Sequence, residues 1–479
     1  MRTLIYLSIL LSLPHTLPAQ LPITYQVNYA TPGDPKVHIT IILPEPLNTP
    51  ISLVMPRNYP GGYGQIPYDS YVENVEAFSG SQKSLSVARD PDAPRWTIGA
   101  KSQSLRRIEY QIDLARMESR TISSVDTSKV RPNYVGLLGY SIFAFIDGQE
   151  DRAIHLQISV PPSWPILTTL NPQIPAPSKA IEATAPNYYA LADSEILMGP
   201  DLHLQSFPGK IPLIFAAYSE APEDLQIDGQ LAREALDRVQ AYFADTPIMQ
   251  YTVQLELLRP LPDHDYGFSQ EHLDSGTFSL SIDRAITPQS SQQSRDTNLF
   301  NYAHHMAHSW IPKRAYGVGY QPFIWEMTPV IDTIWFNEGF ARYAAIEAVA
   351  MGMPPQEAAN FRAHQLARLR QIVDTAPPFL RKMPLDVLSR EASFLYSSDF
   401  RTGMNVFARG ALMAAAMDDR IRAQTANQKS LRDALQALLA WSAQNHRAFQ
   451  IEEMLNIFHA ATNVDVQDIL NAWMHPPAN

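Results

Sequence analysis

The stretch HHMAHSWIPKR (304–314) decides how this sequence reads. His304 and His308 are spaced i, i+4, one turn apart on one face of a helix, so their imidazoles can chelate a single ion. His305 and His308 are spaced i, i+3 and also share a face, so spacing alone leaves both pairs open. Upstream, the polar linker PQSSQQSRD (288–296) offers Ser294, Asp296 or Thr297 as a helix cap, and Leu299, Tyr302 and Met306 follow on helical spacings. Downstream, TIWFNEGFARYAAIEAVAMG (333–352) predicts a second helix, stopped by Gly352 and by Pro354 and Pro355. That helix carries Glu338. Zinc sites that do chemistry use three protein ligands and keep one position for water. Glu338 suits the third place. The chain has no cysteine, so any metal must be held by nitrogen and oxygen.

Farther from this centre the pattern changes. From Leu21 to about Glu220, short alternating runs such as ITYQVNY (23–29), KVHITIIL (36–43), RRIEYQIDL (106–114) and AIHLQISV (153–160) lie between proline- and glycine-rich turns. Many short strands of this kind predict a β-sandwich-like domain. From 356 to the end the apolar period is helical, clearest in LRDALQALLAWSAQ (431–444) and IEEMLNIFHAA (451–461). The expected plan is multidomain α+β: a β domain over 20–220, an α/β metal-binding subdomain over 221–355 and a helical subdomain over 356–479.

Residues 1–19 read as a secretory signal peptide, with Arg2 as the positive n-region, Thr3 to Leu13 as the apolar core and Ala19 at the cleavage site. This predicts an exported protein, periplasmic or extracellular. No later apolar stretch approaches the ~20 residues of a membrane span. The formal net charge of -11 and the lack of basic runs argue against nucleic acid and against anionic membrane surfaces as partners.

Taken together, these motifs resemble the glycyl aminopeptidase family of zinc metallopeptidases, in the gluzincin group. HHMAHSWIPKR (304–314) is similar to that family's H-E-x-x-H-[ST]-W-N-x-K-R, and WFNEGFARY (335–343) to its W-F-x-E-G-F-x-x-Y. EH within YGFSQEHLDS (266–275) resembles its G-G-x-E-H strand, and ARGALMAAAMDDRIR (408–422) its K-G-A-L helix. MPRNYPGGYGQIPYDSYVENVEAF (55–78) resembles the signature of its N-terminal β domain. The resemblance implies a thermolysin-like zinc-peptidase domain, one zinc ion on His304, His308 and Glu338, and peptides as ligands of the cleft. It also implies that Glu271, with His272 beside it, contacts substrate, Glu271 through the free α-amine. The PDZ domain that often follows is not expected, since the helical region runs to Asn479.

Two departures bear on activity. The glutamate that activates water in H-E-x-x-H is His305 here, and the tyrosine that stabilises the oxyanion is Phe407. A positioned acid/base typically supplies on the order of 10² to 10⁴ in rate, and an oxyanion donor about 10² to 10³. Phe407 can donate nothing. His305 can accept a proton near neutral pH, but a neighbouring dication disfavours its charged form. Three outcomes follow: His305 serves as base; Glu326 or Asp332 takes over, with Tyr396 supplying the hydroxyl; or the cleft binds zinc and a peptide or protein partner without turnover. The simultaneous loss of both groups favours the last.

Overall fold

The computed structural model describes residues 21–121, 125–171, 180–262 and 264–475. The stretch read as a signal peptide, 1–19, lies outside them. The chain is α+β, with an N-terminal part built of sheets, a central mixed part and a helical C-terminal part.

The N-terminal part holds a seven-stranded sheet in the order Ala180–Ala185, Ile154–Ser159, Ile23–Asn28, Lys36–Asn48, Ser104–Asp113, Val72–Phe78, Ser84–Leu85. Its pairings are antiparallel except Ile23–Asn28 with Ile154–Ser159. Alternation along these strands puts Ile39, Ile41, Ile108, Tyr110, Ile112, Leu156 and Ile158 inside, under two four-stranded sheets. Each such aliphatic side chain contributes about 1.5–3 kcal/mol on full burial.

The central sheet has five strands in the order His203–Phe207, Leu213–Ser219, Tyr251–Leu258, Ser275–Ser281, Gly267–Glu271. The three inner strands are parallel, and both outer pairings are antiparallel. Tyr251–Leu258 is buried along its whole length, as a central strand covered on both faces must be. This topology moves one expected boundary. Residues 203–219, read from the sequence as the end of the β domain, belong to the central sheet: Leu213–Ser219 pairs with Tyr251–Leu258, and His203–Phe207 pairs with Leu213–Ser219. Strand periodicity alone does not say which sheet a strand joins.

Helices Leu225–Phe243 and Gln292–Ala307 share one core with this sheet. Ser291 caps the second of them through its hydroxyl, three residues before the earliest cap expected, because the extended backbone runs on only to that point. The C-terminal helices include Pro355–Thr375, Phe400–Gln424, Leu431–Asn445 and Ile451–Thr462. No helix among the described residues is long and apolar enough to cross a membrane.

A buried ionic cluster joins the N-terminal part to the central sheet. Lys129 Nζ donates to Asp126 Oδ1 at 2.6 Å and to Ser279 Oγ at 3.0 Å, and lies 2.9 Å from Glu256 Oε2. Tyr134 donates to the other Glu256 oxygen at 2.7 Å. Burial works against the charge on Glu256, but Lys129 outweighs it and lowers the pKa.

Candidate metal centre

His304 and His308 lie at the C-terminal end of helix Gln292–Ala307, with His308 as its last cap. Leu299, Tyr302 and Met306 are buried on the side that anchors the helix, as their spacing predicts. His308 Nδ1 lies 2.9 Å from the Ile311 carbonyl, which fixes the ring with Nε2 facing inward.

Glu338 comes from a wide helical turn, Trp335–Phe340, that continues into helix Ala341–Met351. Such turns re-aim a side chain without breaking the helix. Its neighbour Gly339 is pressed against the long helix Phe400–Gln424. A Cβ on Gly339 would come within 2.5 Å of Gly410 backbone, and one on Gly410 within 2.0 Å of the Trp335 carbonyl. Only glycines allow that approach.

The three side chains converge. Glu338 Oε2 is 3.6 Å from His304 Nε2 and 3.4 Å from His308 Nε2. Tetrahedral zinc with bonds of about 2.0–2.1 Å places its ligand atoms about 3.4 Å apart. The second oxygen, Oε1, accepts from the Tyr63 hydroxyl at 3.1 Å, which orients the carboxylate. His308 Nε2 is buried without a hydrogen-bond partner. An orphaned imidazole nitrogen facing two other donors fits a divalent metal.

A cleft of about 600 Å³ opens over these residues. Tyr59, Gly61 and Tyr63 enter it from the N-terminal part, edge strand Gly267–Glu271 forms one wall, and Tyr396, Phe400 and Phe407 form another. Phe407 stacks against Tyr396 with ring centres 5.8 Å apart. Trp310 and Trp335 are fully buried and pack the core beneath the site.

His305 and Glu271 face one another in the cleft, His305 Nδ1 lying 3.8 Å from Glu271 Oε2. Burial lowers the pKa of His304 and of His305, at His305 against the pull of Glu271. Burial acts the same way on His308, but Glu271 and Glu338 outweigh it and raise that group to about 9. Burial opposes the charge of Glu271, yet His308, His305 and Lys313 hold its pKa down at about 2. Glu271 is therefore a buried anion at the cleft wall.

Other expected residues fall elsewhere. His272 does not line the cleft. Its ring nitrogens lie 2.9 Å from Asp193 Oδ1 and 2.9 Å from Glu195 Oε1, so the expected substrate contact gives way to a structural one. Its side chain takes the opposite face of the strand end from Glu271. Lys313 is buried against Asp193 and the Pro60 carbonyl, where it braces the loop bearing Tyr59 and Tyr63. Glu326 is ion-paired with Arg95, and neither it nor Asp332 lines the cleft. Tyr63 was missed: it lies 275 residues from its partner Glu338, and no local pattern announces that contact.

Residues 24–200 match the Peptidase M61 N-terminal domain. That match ends just before strand His203–Phe207, where the central sheet begins. Over 94% of its length the chain superposes on the aminopeptidase N family protein from Idiomarina loihiensis, covering 76% of that chain, with a TM-score of 0.80 and 18% identity. It also superposes on an M1 zinc metallopeptidase from Deinococcus radiodurans, covering 96% of this chain and 94% of that one, at a TM-score of 0.54 and 15% identity. A mutant of the latter is known with a Tyr-Ser-Ala substrate bound. No curated protein matches the chain. The fold is that of M1 aminopeptidase-like structures.

Proposed function

We propose that this chain is an exported zinc-binding protein of metallopeptidase descent, resembling glycyl aminopeptidases, whose cleft holds peptides and whose peptidase step is lost or strongly altered. The observation that carries this reading is a converging His304–His308–Glu338 set in a cleft where His305 and Phe407 stand in place of base and oxyanion donor. The Peptidase M61 match over residues 24–200 supports the descent. The N-terminal run, with Arg2 before an apolar core and Ala19 at its end, supports export to the periplasm or beyond the cell.

His304, His308 and Glu338 would hold the ion, with Tyr63 fixing the carboxylate. When bound, zinc polarises a carbonyl and lowers the pKa of water. The remaining work falls to the chain. Edge strand Gly267–Glu271 offers unpaired backbone groups along the cleft wall, so an extended peptide can add to the sheet there. Glu271, an anion at the end of that strand, suits a free α-ammonium group. Phe407 presents a ring where a hydroxyl is needed, and His305 is turned toward Glu271 with its basicity depressed by burial. Peptide is thus positioned with little help for proton transfer.

One specific observation favours a second reading. The hydroxyl-bearing Tyr396 lines the same cleft as Glu338 and His305, which supports a slow aminopeptidase using His305 as base and Tyr396 as oxyanion donor. Zinc-loaded protein incubated with short free-N-terminus peptides, with and without EDTA, separates the two. Stoichiometric zinc and saturable peptide binding with amino-acid release at background is the expected result. Chelator-sensitive release would overturn the silent reading in favour of the slow enzyme.

A further inference from the structure

The cleft contains a second set of three ligand atoms. Glu271, His305 and His308 each offer one, and these atoms lie within 4.8 Å of one another, as do those of His304, His308 and Glu338. His305 Nδ1, Glu271 Oε1 and His308 Nε2 are buried side-chain atoms with no hydrogen-bond partner. Buried polar atoms are rarely left so, and His305 Nδ1 looks toward the Glu271 carboxylate, 3.8 Å from its other oxygen Oε2. The set draws on two elements, the end of the edge strand and the helix position next to His304, and a carboxylate with two imidazoles is a sound set for a borderline divalent ion.

The two sets share His308. Its Nδ1 is engaged with the Ile311 carbonyl, so only the Nε2 lone pair remains, and that serves one ion at a time. The sets are therefore alternatives. We propose that the cleft holds one divalent ion in either of two overlapping positions, one on His304, His308 and Glu338, the other on His305, His308 and Glu271. The imidazole at 305 supplies one of the two nitrogen donors of the second position. A positive ion on Glu271 and a peptide ammonium on Glu271 exclude one another by like charge. Binding of a free-amine peptide therefore drives the ion to the first position, and the coupling is reciprocal.

This rests on the reading of the cleft as a metal centre, and the test separates the two. Cobalt(II) is titrated into the purified protein and followed by visible absorption, with competition by a chromophoric chelator. The wild type is expected to take one ion. His304→Ala and Glu338→Gln are each expected to keep one ion with a shifted spectrum, and His305→Ala to keep one ion with a spectrum unlike theirs. His308→Ala and the His304→Ala/His305→Ala double variant are expected to lose stoichiometric binding. Tri-alanine added to the cobalt-loaded wild type is expected to move its spectrum toward that of His305→Ala, and acetylated tri-alanine to leave it unchanged. If a folded Glu338→Gln and a folded His304→Ala both lose the ion as fully as His308→Ala, the second position does not exist. Two ions per wild-type chain would also overturn the proposal. No ion in the wild type would sink the metal reading itself.

Discussion

Replacing Lys129 with methionine tests how the N-terminal part is joined to the central sheet. The ammonium group sits 2.6 Å from Asp126 and 2.9 Å from Glu256, and all three side chains are almost fully buried. Methionine keeps most of the apolar stem and removes the charge, so packing loss is small. What remains is two carboxylates held against one another without a cation. Breaking a buried ion pair by removing one partner typically costs about 3–5 kcal/mol, because the surviving charge stays desolvated. At roughly 2–4 °C per kcal/mol for a unit of about 150–250 residues, the size class of the N-terminal part, the melting temperature of that part is expected to fall by about 6–20 °C. Calorimetry reads this directly. Adding Asp126→Asn and Glu256→Gln to Lys129→Met removes the uncompensated charge and is expected to recover a large part of the loss. A drop within about 2 °C for Lys129→Met would refute the reasoning, since it would mean the carboxylates accept protons or water at little cost.

Three further outcomes follow from the cleft and its surroundings. His305→Glu combined with Phe407→Tyr is expected to raise chelator-sensitive amino-acid release by about 10² or more over the wild type, from the acid/base and oxyanion contributions together; an unchanged rate in a zinc-loaded double variant would show that more than these two groups is missing. Glu271→Gln is expected to weaken binding of free-amine peptides by roughly tenfold, about 1.4 kcal/mol, while N-acetylated peptides bind as before; equal losses for both by calorimetric titration would remove Glu271 from amine recognition. Glu223 is half-buried, and burial, followed by the neighbouring Asp228, pushes its pKa from 4.5 up to about 9. The fold therefore binds more protons than the unfolded chain in that window, and the stability this contributes is full below pH 4.5 and is lost as pH rises toward about 9. Melting temperature should fall with pH over that range more steeply in the wild type than in Glu223→Gln, and superimposable profiles would contradict the assignment.

The sequence was most legible where chemistry imposes spacing. The i, i+4 histidines and the downstream W-F-N-E-G place three donors on two helices, and the fold brings those atoms together. The apolar periods gave the elements their type but not their partners. Nothing in LIFAAYS (213–219) says that it pairs with Tyr251–Leu258 rather than with the strands before it, because sheet membership is decided by contacts distant in sequence. The same limit hid Tyr63, whose hydroxyl reaches Glu338 across the junction of two parts of the chain. His272 misled for a related reason: next to Glu271 on a strand, it points to the other face, where two carboxylates wait for it.

The contact between Gly339 and Gly410 bears on how such a cleft can change over generations. Two helices touching backbone to backbone leave no side chain between them whose replacement could slide one past the other. Position 407 is therefore carried to the cleft by the skeleton, whatever residue occupies it. Under the proposed function, substitutions at 305 and 407 change the chemistry of the cleft on a backbone that keeps its place. On that reading, the step from hydrolysis to binding takes a few codons, while the architecture around them stays under unchanged selection for stability.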